Sequence, residues 1–208
     1  MKRIIPLALA IASGFAMISV SHLLTTRAGA QESGQHAPQF TKDNRLVRPM
    51  DYREWIYLTS GLGMTYGPAA NRVDVAPLFD NVFVHPTAYR SFLKTGEWPD
   101  KTIFVLEVRS AKSHGSINKD GQFQTGVVAV EAAVKDEARF PEKWSYFSFD
   151  SPSNAKSAAA FPKAECFDCH KKSGAVENTF VQFYPTMLEV ATRMGTLNPG
   201  YISSLTKE

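Results

Sequence analysis

Cys166-Phe167-Asp168-Cys169-His170 contains both cysteines of the chain, three residues apart, with a histidine directly after the second. C-x-x-C-H is the attachment signature of a c-type haem. Each thiol adds to one vinyl group of the same porphyrin, so both sulfurs must reach one edge of the ring. Positions three and four apart share a helical face. One turn therefore lets Cys166 and Cys169 hold the macrocycle while His170 turns its imidazole towards the iron, as a proximal histidine does. Other chemistries fit less well. A structural zinc site takes four protein ligands, and this segment supplies three. A C-x-x-C redox pair needs a βαβ context that the chain does not show. A disulfide leaves His170 unexplained. The expected cofactor is one covalent haem c, with His170 as the metal ligand.

The first thirty residues fit that chemistry. Lys2 and Arg3 precede a mostly apolar run from Ile4 to Val20, and Ala28-Gly29-Ala30 forms an A-x-A cleavage site before Gln31. This pattern is a secretory signal peptide at 1–30. The apolar run is marginal for a membrane span, so no membrane association is expected after cleavage. Haem c is attached outside the bacterial cytoplasm, which places the mature chain in the periplasm. Three of the chain's 23 basic residues lie in the signal, with none of its 20 acidic ones, so the remainder is balanced in charge. No basic stripe points to nucleic acid.

The elements that must position the motif precede it. Residues 31–50 are expected to form a flexible N-terminal arm and 51–208 a single domain. Asp51 is placed to cap a short helix containing Tyr52, Trp55 and Ile56, with Gly61, Gly63, Gly67 and Pro68 marking a loop. Leu78 to Val84 reads as a strand. Pro86 opens a helix that Gly96 ends. Thr102 to Val108 is strongly β-prone, Ser110 to Gly121 is a hairpin loop, and Phe123 to Val134 and Trp144 to Phe149 are further strands. In the last of these, Trp144 and Tyr146 share one face, Phe147 and Phe149 the other. Aromatics on both faces imply a sheet covered on both sides. Pro185 opens a final helix through Met187, Leu188, Val190 and Ala191. The fold class is α+β, a predominantly antiparallel β-sheet with flanking helices and a C-terminal haem attachment segment.

Several segments in their order resemble the cytochrome P-460 family, which includes cytochrome c′-beta. They are Asp51-Tyr52-Arg53-Glu54-Trp55, Phe83-Val84-His85-Pro86 with Lys94-Thr95-Gly96-Glu97, Glu131-Ala132-Ala133-Val134-Lys135-Asp136, Ala164-Glu165-Cys166 and Phe183-Tyr184-Pro185. The resemblance runs from about Asp51 to Met187. It implies thioether attachment at Cys166 and Cys169, a proximal His170, a five-coordinate iron with an open distal face, and a homodimer. It also implies small nitrogen ligands of the nitric oxide or hydroxylamine class.

Cytochromes P-460 proper cross-link a strand lysine to the porphyrin, which enables hydroxylamine oxidation. The register of the resemblance puts Leu106 at that position. Lys101 has the opposite strand parity and points away from the face of Leu106. The resemblance therefore lies nearer the cytochrome c′-beta side, whose distal pockets are apolar. Strand alternation would turn Phe104 and Leu106 to the haem together, although the same alternation fits two core residues of a buried strand.

Further side chains are candidates on type alone. His85 and His114 are possible sixth ligands or proton donors, and Met187 and Met194 possible sixth ligands. Lys171 and Lys172 are a possible docking patch for a redox partner protein. Glu165 could meet a propionate or cap a turn. Three functions stay open: a five-coordinate ligand-binding haem c protein, a hydroxylamine- or nitric-oxide-oxidising enzyme with a base near the iron, and a six-coordinate electron carrier.

Overall fold

The computed structural model describes residues 37–65, 76–150 and 155–206. The signal at 1–30, the first residues of the expected arm and the Gly67-Pro68 part of the expected loop lie outside them.

Short strands β1 (Leu46–Val47) and β7 (Ser157–Ala158) pair antiparallel. Between them in the chain runs a five-stranded antiparallel sheet in sequence order: β2 (Ile56–Leu62), β3 (Leu78–Val84), β4 (Ile103–Lys112), β5 (Phe123–Lys135) and β6 (Trp144–Ser148). The helices are α1 (Pro86–Thr95), α2 (Phe167–Ser173), α3 (Pro185–Met194) and α4 (Pro199–Leu205). The α+β, sheet-dominated class stands. No helix among the described residues is long and apolar enough to cross a membrane.

The period-two pattern of the strands divides the core in two. Val84, Phe104, Trp144 and Tyr146 face the helices and pack with Ala88 and Phe92 of α1, Phe167 of α2 and Met187, Val190 and Ala191 of α3. Ile103, Val105, Val130, Ala132, Val134, Phe147 and Phe149 face the other way, onto Leu46, Tyr52 and Ala158. Both faces of β6 are therefore covered, as its aromatic alternation predicts. On the second face Glu107 is buried, and Tyr52, Arg53 and Arg109 all donate to its carboxylate. Burial pushes this carboxyl up, but the three donors outweigh it and hold the group below its usual range.

The C-terminal ends of α1 and α3 meet. Gly96 caps α1 at φ 74°, a left-handed conformation, and its carbonyl accepts from Thr196 Oγ1 at 2.7 Å. A Cβ at Gly96 would meet that same oxygen at 2.7 Å, so both backbone angle and close approach require glycine.

Two expectations need correction. The helix over Asp51–Ile56 is only a 3-10 turn, Tyr52–Glu54, and Asp51 forms no side-chain cap. Ile56 instead starts β2, where pairing with β3 and the packing of Ile56 and Leu58 on the helix-side core override local preference. The arm is tied down in its described part: Phe40 bridges to Leu46, whose side chain is fully buried. A single large apolar residue suffices there because β7 supplies the pairing edge.

Candidate functional site

α2 carries the motif. Cys166 occupies the cap position, half-buried, and Cys169 is exposed; both are free thiols. Burial, with lesser contributions from Glu131 and Glu165, pushes the Cys166 thiol up to about 11. The His170 amide donates to the Cys166 carbonyl at 3.1 Å, closing the helical turn that the spacing implies.

The His170 ring is fixed on three sides. It stacks between Phe180 and Tyr146, each with its ring centroid 4.2 Å away. Nδ1 lies 3.0 Å from the backbone carbonyl of Asn178. A carbonyl oxygen only accepts, so Nδ1 carries the proton and Nε2 keeps its lone pair. Burial drives the imidazole's pKa down to about 4, against the smaller opposing effect of that hydrogen bond. A neutral imidazole with one oriented nitrogen is the metal-ligating form.

The acceptor comes from a tight turn after α2. Thr179 N–H donates to the Val176 carbonyl at 3.0 Å, enclosing Glu177 and Asn178. Gly174 at its base has no room for a side chain: a Cβ would lie 2.8 Å from the His170 carbonyl and 2.9 Å from Thr179 N.

His170 and Cys166 line one cavity of about 910 Å³, part of it open to solvent. Phe104 and Leu106 of β4 are in its wall, with Phe161, Phe180, Phe183 and Tyr184. Cys169 is not a wall residue. Among the described residues no lysine lines the cavity; Lys101 instead pairs with Asp136.

The wall is not wholly apolar, contrary to the expectation from the cytochrome c′-beta side. Val82, Leu106 and Glu131 are cross-strand neighbours on β3, β4 and β5, and Glu131 and Asp80 both face the cavity. Burial, reinforced by the charges of Asp150 and Asp80, raises the Glu131 carboxyl to about 6, and burial raises Asp80 as well. The sequence held a signal for Glu131: on β5 its face neighbours are Ala129 and Ala133, small residues that leave room beside a lone carboxylate. Met64 is a second wall residue that sequence reasoning did not single out.

The remaining candidates lie elsewhere. His85 caps α1 by accepting from the Thr87 amide at 3.3 Å and sits edge-on to Trp55. His114 is exposed in the β4–β5 hairpin. Met187 is fully buried in the core, and Met194 is exposed past the wall. Lys171, Lys172 and Glu165 are exposed beside α2.

The donor set fits a covalently held haem: two free thiols on one turn, a neutral imidazole with a committed Nδ1, and an aromatic-walled cavity lined by Cys166 and His170. Among the described residues no group of three or more His, Cys, Asp or Glu side chains could hold a metal ion by itself, as a zinc site would require. The family model described as cytochrome P460, here written P-460, matches residues 49–181, more than half of the chain. The chain belongs to the cytochrome P-460 family. As a member it is a haem-binding cytochrome. The matched span covers every strand of the large sheet, the C-x-x-C-H turn and the Asn178 acceptor, and ends at Val181. No curated protein matches the chain.

Proposed function

We propose that this cytochrome carries one haem c, bound by thioethers at Cys166 and Cys169 and ligated by His170, and binds a small neutral nitrogen ligand such as nitric oxide. The reading rests on the proton placement at His170: with Nδ1 committed to Asn178, the ring offers Nε2, held in plane by Tyr146 and Phe180. Held by these residues, haem would supply an iron able to coordinate such a ligand. On their part of the wall Phe104, Leu106 and Phe161 offer water no hydrogen-bond partner, whereas a neutral diatomic needs none. Neither Met187 nor Met194 lines the cavity, which argues against either as a sixth ligand; Met64 is the methionine of the described wall. The absence of lysine from the described wall supports the cytochrome c′-beta side of the family.

A second reading is favoured by one observation. An enzyme oxidising hydroxylamine or nitric oxide needs a group that takes protons from the substrate, and Glu131, at about 6, is a carboxylate largely charged at neutral pH and set in the wall. Its role would be to accept a proton from a bound N–H or O–H at a carboxylate oxygen.

Absorption spectra of the purified protein test both. A pentacoordinate high-spin ferrous spectrum supports the first reading, and slow or absent hydroxylamine turnover goes with it. A strongly red-shifted Soret band with brisk turnover would replace it with the enzyme. A low-spin spectrum with methionine-to-iron charge transfer would overturn five-coordination and point to Met64.

The signal sequence supports a periplasmic location, and the family resemblance a homodimer. Lys171 and Lys172, exposed next to the haem-bearing turn, are the surface that an acidic redox partner would meet.

A further inference from the structure

Glu177 is a polar residue of the site that neither its type nor its spacing singles out. It occupies the turn that ends in Asn178, in the left-handed region at φ 49°, a conformation that disfavours a long side chain. Its carboxylate spans three other parts of the fold. Oε1 accepts from the Trp98 amide at 3.2 Å and from Lys135 Nζ at 3.0 Å, and Oε2 accepts from Trp144 Nε1 at 2.9 Å. Its own carbonyl accepts from Asn198 Nδ2 at 2.7 Å. Lys135 is itself buried and donates also to the Trp98 carbonyl at 2.6 Å, with Glu137 a further carboxylate 3.6 Å away.

A strained turn residue persists only where its surroundings over-determine it. Here the surroundings are an ion pair, two tryptophans and an asparagine, and the next residue in the chain presents the acceptor for His170. We infer that Glu177 is a positioning residue for the axial histidine. Its clamp to Lys135 and Trp144 fixes the Asn178 carbonyl, and so sets how strongly His170 Nδ1–H is polarised. A well-held acceptor makes the imidazole a stronger donor to a metal. Loosening the turn weakens that hydrogen bond without touching His170.

The inference rests on His170 being the axial ligand, and the experiment separates the two. Resonance Raman of the ferrous holoprotein reads the iron–histidine stretch, and a redox titration reads the midpoint potential. With Glu177→Ala, the stretch is expected to fall and the potential to rise relative to wild type. Glu177→Gln keeps an acceptor oxygen for one tryptophan donor and sets an NH2 against the other, so it should recover only part of the wild-type values. Phe149→Leu, a destabilised variant of the far-side core, gives the effect of instability alone and is expected to leave the stretch in place. If Glu177→Ala does not accumulate, Lys135→Gln releases the same clamp from β5 without leaving a buried cation and must shift both readouts the same way. Wild-type stretch and potential in whichever variant accumulates would overturn the inference. Absence of any iron–histidine stretch in the wild type would instead remove His170 as the ligand, and the inference with it.

Discussion

Tyr146 and His170 donate to one and the same acceptor, the Asn178 carbonyl, at 2.9 and 3.0 Å, while their rings stack 4.2 Å apart. The phenol, which burial raises well above its usual range, remains a proton donor at any working pH. It therefore competes permanently with the imidazole for that oxygen. Tyr146→Phe leaves the carbonyl to His170 alone. The iron–histidine stretch should rise and the midpoint potential fall, with a stability loss of about 1 kcal/mol for the missing hydrogen bond. A shift of the stretch in the opposite direction would show that Tyr146 supports the histidine rather than competing with it.

Replacing both Cys166 and Cys169 with alanine should leave any bound haem extractable by acidified organic solvent, while the unaltered protein retains it. Each single replacement should leave one thioether, visible as a vinyl-shifted pyridine haemochrome spectrum. Extractable haem in the unaltered protein contradicts covalent attachment.

Leu106 decides whether a third covalent bond exists. The register of the family resemblance puts it at the cross-linking position, and it stands in the cavity wall beside Glu131. Intact mass of the wild type should correspond to two thioethers only. Leu106→Lys, treated with oxidant, should gain the red-shifted chromophore. Placing an amine among Phe104, Val82 and Phe161 should cost about 1–3 kcal/mol unless it is neutral or pairs with Glu131. A lysine–haem bond in the wild-type mass spectrum would overturn the cytochrome c′-beta-like reading.

Glu131 predicts a pH dependence with a definite sign. Its folded-state pKa of about 6 lies above the ordinary 4.5, so across that interval the folded chain keeps a proton that the unfolded chain has released. The stability this group contributes is thus greatest below pH 4.5 and is lost as pH rises through 6, by about 2 kcal/mol in all. Glu131→Gln should abolish that slope, gaining on the wild type as pH rises from 4 to 7 in denaturant titrations. Parallel curves for the two proteins would show that Glu131 is solvated.

Much of this was readable from residue order. Pro86 and Gly96 bracket α1 because a fixed φ and a left-handed cap are local properties. The alternation in Trp144–Phe149 gave both faces of β6. β2 escaped because Trp55 and Ile56 fit a helix and Gly61 and Gly63 fit a loop; only pairing with β3 makes the segment a strand. α4 escaped because it buries no residue fully, leaving no stripe to detect. At the site, the placing of Cys166, Cys169 and His170 on one helical turn follows from their spacing, whereas the histidine's acceptor is a backbone carbonyl, which no residue type encodes. Glu177 and Lys135 are 42 residues apart, and their pairing becomes visible only once β5 and the turn meet.

The two-sided sheet also bears on the order of assembly. The core on the face away from the helices is built from residues between Leu46 and Ala158, every one of them ahead of Cys166 in the chain. A polypeptide delivered N-terminus first can close that half, Glu107 cluster included, before the haem-binding turn has emerged. The helix-side half, which draws on Phe167, Val181 and Met187, cannot. A prosthetic group attached at that turn would then meet a half-built scaffold rather than a random coil, with β3, β4 and β5 free to pair before it arrives.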